Sequence, residues 1–222
     1  MNTANKTATD WTRYYSSVPF TAKLTRKYST AVLLDMFRRR AVPAAGHDRI
    51  SVVEMGGANS CFVDHILSGI GCRSYDVIDT NPYGLSLLEQ RMGRQSVVRF
   101  HQQSVFDLSL KIEADVVFSF GLVEHFEPDK TREAVLAHFS ALRPGGIAII
   151  SFPTPTWLYR TARRALEFCG MWQFPDERPL ELDEVIAAVR ERGEVLEQKL
   201  LWPLILTQAL IIARKPVAPL PA

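Results

Sequence analysis

Cysteine is scarce in this chain of 222 residues: Cys61, Cys72 and Cys169 are the whole supply. Their spacing shows no pairing and no metal-like pattern, so a disulfide scaffold is excluded and no metal site is expected. Three such thiols suit a reducing compartment, and the expected localisation is cytoplasmic. A charge excess is missing as well. Lys and Arg number 26 against 24 Asp and Glu, a net charge of +2, so composition points to no nucleic-acid partner. The basic cluster Arg38-Arg39-Arg40 reads as the solvated end of a helix. No apolar run reaches the roughly 18 residues of a membrane span. Residues 1–6 have no signal-peptide core, and no internal repeat occurs. With 47% hydrophobic residues, the chain can bury one sizeable α/β core.

The segment that organises the rest is Ile50-Ser51-Val52-Val53-Glu54-Met55-Gly56-Gly57-Ala58-Asn59-Ser60. A β-branched run ends in an acid, small residues follow, and a helix is expected from about Ser60. Glycines there allow unusual backbone angles and let a ligand lie against bare backbone. The helix start presents unpaired N–H groups, which suits a nucleotide-like cofactor.

Upstream, residues 1–9 are polar and expected to be disordered. Trp11, Tyr14 and Tyr15 then cluster before Pro19, either capping a ligand site or docking on the core. A helix is expected over Lys27–Arg40, broken by Pro43 and Gly46. Downstream, strands are expected at 74–78, 97–100, 114–120 and 147–152, with helices following Ser60, opening at Pro82, and over Thr131–Leu142. Pro144-Gly145-Gly146 reads as a tight turn. Strands alternating with helices imply a doubly wound, mostly parallel sheet. Such sheets bind ligands at the carboxyl ends of their strands, beside the switch in strand order. In the last third, Trp157–Phe168 and Leu182–Arg192 read as helices, the first with Leu158, Ala162, Ala165 and Leu166 opposite Arg160, Arg163 and Arg164. Glu194–Trp202 and Leu206–Arg214 read as an antiparallel pair joined around Pro203.

Asp79, ending the second strand, is placed to accept hydrogen bonds from both hydroxyls of a ribose; the alternative is a helix cap within Asp79-Thr80-Asn81-Pro82. Glu54 either orders the glycine loop or meets the cofactor's polar end. Val105 and Phe106, after Ser104, either sandwich a flat base or pack in the core.

Taken in order, Glu54-x-Gly56-Gly57, Asp79, Gly121-Leu122-Val123-Glu124-His125-Phe126 and Leu142-Arg143-Pro144-Gly145-Gly146 resemble a class I S-adenosylmethionine-dependent methyltransferase over about residues 50–152. The resemblance implies a Rossmann-like, seven-stranded sheet closed by an antiparallel hairpin, with S-adenosyl-L-methionine as cofactor. It implies that Gly56, Gly57 and Ala58 face the methionine part, that Asp79 with Thr80 holds the ribose, that Ser104, Val105 and Phe106 surround the adenine, and that Gly121 and the residues after it flank the methyl donor. Ala58 and Ser60 stand where the family often has glycine, and Ser104 where it often has an acid.

A methyl donor needs an aligned nucleophile and, for a hydroxyl, a base; His125 is the residue suited to that, or else it packs under its loop. Glu124 orients His125 or touches substrate. Tyr14, Tyr15, Trp157 and Tyr159 are the candidate acceptor contacts. Phe168, Met171, Trp172 and Phe174 extend that apolar lining across the long 153–180 segment. A small-molecule acceptor, methylated at O or N, is the expected substrate. An NAD-dependent oxidoreductase and an inactive scaffold of the same fold are the alternatives. Contact of the 157–168 helix with a membrane surface is the weaker reading of that element. The expected organisation is a cover segment over 1–45, a methyltransferase domain over 46–215 with a helical insertion at about 153–180, and a disordered tail over 216–222.

Overall fold

The computed structural model describes residues 8–17, 20–93, 95–109, 111–202 and 206–217. Of the disorder expected over 1–9 and 216–222, residues 1–7 and 218–222 lie outside the described residues, as does the turn at Pro203, whereas Thr9 is buried and bonded to Asp176. Seven strands form one sheet: β1 (Ile50–Met55), β2 (Cys72–Asp79), β3 (Val98–Gln102), β4 (Ala114–Phe120), β5 (Leu142–Pro153), β6 (Glu194–Leu201) and β7 (Gln208–Arg214). Their order is β3-β2-β1-β4-β5-β7-β6. Strands β1 to β5 pair in parallel, and β7 pairs antiparallel with both β5 and β6. The order reverses between β1 and β4, which opens a crevice where Gly56 and Gly121 leave the sheet.

Both faces of the central strands are covered, and the period-two alternation is visible in the packing. Val52, Val77, Val116, Phe118 and Ile149 face a core completed by α2 (Phe20–Met36), α4 (Val63–Gly69) and α5 (Pro82–Met92). Val53, Ile78, Val117, Ala148 and Ile150 face the other, completed by α6 (Pro128–Ser140) and α8 (Leu182–Arg190). The remaining helices are α1 (Trp11–Ser16), α3 (Val42–Ala45) and α7 (Trp157–Phe168).

Several expected boundaries move. Pro43 does not break the helix that precedes it. A π-helical turn, Phe37–Ala41, joins α2 to α3, placing Pro43 in the first turn of α3. The helix stops at Gly46, whose φ of 71° is the left-handed cap. The helix after the glycine loop starts at Val63 rather than Ser60, because Asn59 turns at φ 51° and the Ser60 hydroxyl accepts from Phe62 N–H instead. Pro144-Gly145-Gly146 is not a free turn: it lies inside β5 as an irregularity in the pairing with β4, with Gly145 at φ 78°. Helix α6 starts at Pro128, a residue pre-set for a first turn, rather than Thr131.

On α7 the expected facing is revised. Arg163 turns inward, its guanidinium 4.8 Å from the Trp172 ring, while Ala165 is exposed. Phe168 (93% exposed) and Met171 point to solvent and do not line a pocket with Trp172 and Phe174. All three cysteines are free, and no helix among the described residues is long and apolar enough to cross a membrane.

Candidate active site

The glycine loop is wired to the end of β2. Asp79 Oδ2 accepts from Ala58 N–H at 3.0 Å, and Oδ1 from Asn81 N–H at 2.8 Å. Asn81, not Asp79, caps α5, its side chain accepting from Gly84 N–H. Thr80 N–H also acts on this carboxylate, which keeps acceptor capacity for a ligand. Burial pushes this carboxyl up from its ordinary value, against the opposing pull of the backbone donors. Thr80 follows at an exposed position.

Gly56 has φ 72°, and a Cβ there would come within 3.0 Å of Leu122 Cδ1 across the strand-order switch. Gly57 has no room for a side chain, since its Cβ would lie 2.8 Å from Glu54 Cγ and 2.9 Å from Val77 Cγ1. Ala58 keeps a negative φ, which explains why alanine serves where the family often has glycine.

Glu54 is buried and accepts a 2.6 Å bond from the Tyr75 hydroxyl; Ser60 also bonds it. Burial raises the Glu54 carboxyl to about 7. Its contacts are with β2 and the loop, and the Ser60 carbonyl is in turn bonded by Arg91. Tyr75 was not singled out from sequence, because a tyrosine in mid-strand reads as core until its hydroxyl finds a partner.

On the far side of β2, the Ser104 hydroxyl accepts from Phe106 N–H at 3.2 Å. Val105 is buried against β4 and α6, and Phe106 packs edge-on against Phe126 with Lys130 Nζ 5.0 Å above its ring.

A second cluster stands after β4. Gly121 (φ 72°) leads into a 3-10 turn, Val123–His125. Glu124 is buried, and burial lifts its carboxyl to about 8. His125 Nδ1 lies 3.0 Å from Asp176 Oδ1. A carboxylate only accepts, so Nδ1 carries the proton and Nε2 faces Glu124 Oε1 at 3.9 Å. Burial pulls the imidazole down, but the Asp176 hydrogen bond and the charges of Glu124, Asp176 and Glu177 outweigh it and the value rises above 6.5. Asp176 also accepts from Thr9 N–H at 3.0 Å and from the Thr9 hydroxyl. These donors hold its carboxyl well below the usual range despite burial.

The aromatic residues close over this cluster. The Trp11 ring is 4.8 Å from the His125 ring and stacks on Tyr15 at 5.9 Å; Tyr14 meets Phe174 at 5.2 Å. Tyr15 reaches the glycine loop: a Cβ on Gly84 would touch both Tyr15 and Ala58. Tyr159 is buried and its hydroxyl donates to Glu177 Oε1, whereas Trp157 is 72% exposed with no ring partner among the described residues. The structure thus brings His125, Glu124, Tyr14, Tyr15 and Tyr159 to one region and leaves Trp157 outside it. Thr9, Asp176 and Glu177 were missed from sequence. The available signal was the acidic pair following Phe174-Pro175 in a segment otherwise noted for its aromatics.

Residues 53–148 match a family model described as a methyltransferase domain. No curated protein matches the chain in sequence. Among solved structures, the magnesium protoporphyrin IX methyltransferase of Synechocystis with bound S-adenosylhomocysteine is 12% identical, with a TM-score of 0.70 over 92% of each chain. The N-methyltransferase NodS of Bradyrhizobium japonicum with S-adenosyl-L-homocysteine is 18% identical, with a TM-score of 0.60 over 81% of this chain and 87% of that one. At these identities the likeness is one of fold. The family match over residues 53–148, with this sheet order and its closing antiparallel hairpin, makes the chain similar to class I S-adenosylmethionine-dependent methyltransferases.

Proposed function

We propose that the protein transfers a methyl group from S-adenosylmethionine to an O or N atom of a small-molecule acceptor, with the cofactor in the crevice between β1 and β4. The observation that carries this reading is Asp79: at the end of β2 its Oδ2 takes the Ala58 N–H and its Oδ1 the Asn81 N–H, with Thr80 N–H also acting on it, and the acceptor capacity left over suits a ribose hydroxyl. Glu54, Gly56, Gly57, Ala58, Asp79, Thr80 and Gly121 would hold the methionine and ribose ends, and Ser104, Val105 and Phe106 the base. When bound, the cofactor supplies an electrophilic methyl on a sulfonium, so the chain's task is alignment, exclusion of water and removal of one proton. His125, its Nδ1–H held by Asp176, takes the acceptor's proton at Nε2. Glu124, Tyr14, Tyr15 and Tyr159 surround the acceptor, and α1 with the 153–180 segment forms its cover.

Calorimetry with S-adenosylmethionine, S-adenosylhomocysteine and NAD tests the reading. Binding of the first two and not of NAD is expected. Binding of NAD alone would make it an oxidoreductase, and binding of none a scaffold.

A further inference from the structure

Three buried acceptors converge beside the turn after β4. Glu124 is 2% exposed, and its Oε2 has no hydrogen-bond partner. One side-chain oxygen or nitrogen from each of Glu124, His125 and Glu177 lies within 4.8 Å of the other two. Glu177 is buried too, and Tyr159 occupies its Oε1. With Nδ1–H engaged by Asp176, the neutral His125 ring offers its Nε2 lone pair to the same point. Among the described residues, no arginine bonds either carboxylate: Arg163 bonds the Tyr159 hydroxyl, Glu167 and the Glu177 carbonyl, and Arg178 bonds Glu184 and Thr131, its Nε being buried without a partner. Burial lifts the Glu124 carboxyl to about 8, and its unpartnered Oε2 leaves a place where an arriving cation would favour the charged form.

Spacing and the surrounding wall together bear on which cation. Bonds of about 2.0–2.2 Å to a metal would draw ligand atoms to about 3.0–3.6 Å of one another. An ammonium holds its acceptors at about 2.8–2.9 Å in tetrahedral directions, which sets them about 4.6 Å apart. The Glu124–His125 pair at 3.9 Å stands outside the metal range and short of the full ammonium spacing, and the cluster's atoms lie within 4.8 Å of one another. The wall above it is aromatic: Trp11 and Phe174 both contact the His125 ring, and Tyr14 contacts Phe174. Such a wall suits a cation borne on an apolar body.

We propose that Glu124, His125 and Glu177 form an ammonium receptor, so that the acceptor methylated here is an aliphatic amine on an apolar or aromatic body. This rests on the methyl-transfer reading of the same crevice. The ammonium donates N–H groups to Glu124 and Glu177 and gives its third proton to His125 Nε2, and Asp176 stabilises the resulting imidazolium. The lone pair so freed forms the N–C bond as the S–CH3 bond breaks, whose electron pair stays on sulfur as a thioether, leaving a secondary ammonium.

The test is calorimetry on the full chain with methylamine, propylamine and phenethylamine, with the alcohols of the same carbon skeletons, and with Mn2+ and Zn2+, each with and without S-adenosylhomocysteine. At least one amine is expected to bind at least about tenfold tighter than its alcohol. Glu124→Gln and Glu177→Gln, each checked for folding by circular dichroism, are expected to weaken that amine about 10- to 100-fold. Three results would overturn the receptor: no amine binds, both variants bind it as the parent does, or stoichiometric Mn2+ or Zn2+ binding disappears in Glu124→Gln. Failure of S-adenosylhomocysteine to bind would instead retire the methyl-transfer reading, so the two failures are separable.

Discussion

Asp79 does two things with one carboxylate: it ties Ala58 to the end of β2, and it offers the crevice its remaining acceptor positions. Removing it should be felt in binding before stability, because the loop keeps its other anchors, the Gly56 N–H on the Ile78 carbonyl and the Asn59 N–H on the Gly84 carbonyl. Asp79→Ala is expected to weaken S-adenosylhomocysteine by one to two orders of magnitude, about 1.4–3 kcal/mol, measured by calorimetry on a variant with parental circular dichroism. Unchanged affinity would move the ribose elsewhere. His125 carries a second prediction. Its raised value comes from Asp176, Glu124 and Glu177 acting against burial. A base must be unprotonated, so kcat/KM should fall as pH drops through a value above 6.5. Asp176→Asn removes the hydrogen-bonded charge, and the acid limb is expected to shift to lower pH. A limb that stays in place would show that another group titrates.

Among the elements, what the sequence displayed best were the strands of the parallel sheet. The uninterrupted apolar run of Ala114–Phe120 and the Gly93 stop after α5 are local signals, and both match the structure. The misplaced boundaries have non-local or compensated causes. Pro43 is tolerated because a π-helical turn absorbs it, and Gly145 is held in the irregular part of β5 by its N–H bond to the Lys215 carbonyl, neither of which a window of residues reveals. The same holds for the site. The glycine loop and Asp79 are close in sequence and announce themselves, whereas Asp176 meets Thr9 from 167 residues away. That contact gives α1 its anchor. Helix α1 has only six residues and no buried side chain, so its own propensity cannot hold it in place. Thr9→Val keeps the shape and the N–H donor but loses the hydroxyl bond. Faster amide exchange in residues 10–16 is expected, with the rest of the chain unchanged. Equal exchange would mean that the aromatic contacts alone seat the helix.

At the scale of the whole molecule, the sheet and its two covered faces form a platform, and two segments outside the strand–helix alternation meet above its crevice. Residues 9–15 come from before the first strand, and residues 172–177 from between β5 and α8. They are joined by the Thr9–Asp176 bonds and the Trp11, Tyr14 and Phe174 rings. Tyr15 extends this lid to Ala58 and Gly84, and Trp11 to His125, so one lid touches both the glycine loop and the proposed base. Seating a ligand at either place must therefore displace or order the lid, which couples water exclusion to occupancy. Hydrogen exchange with and without S-adenosylhomocysteine measures that coupling. Protection is expected to rise around Gly56 and Asp79 and also in residues 10–17 and 172–178. The outer turns of α7, where Trp157 and Phe168 face solvent, should respond least. If only the glycine loop and Asp79 gain protection, the aromatic contacts are static packing and the lid does not gate the site.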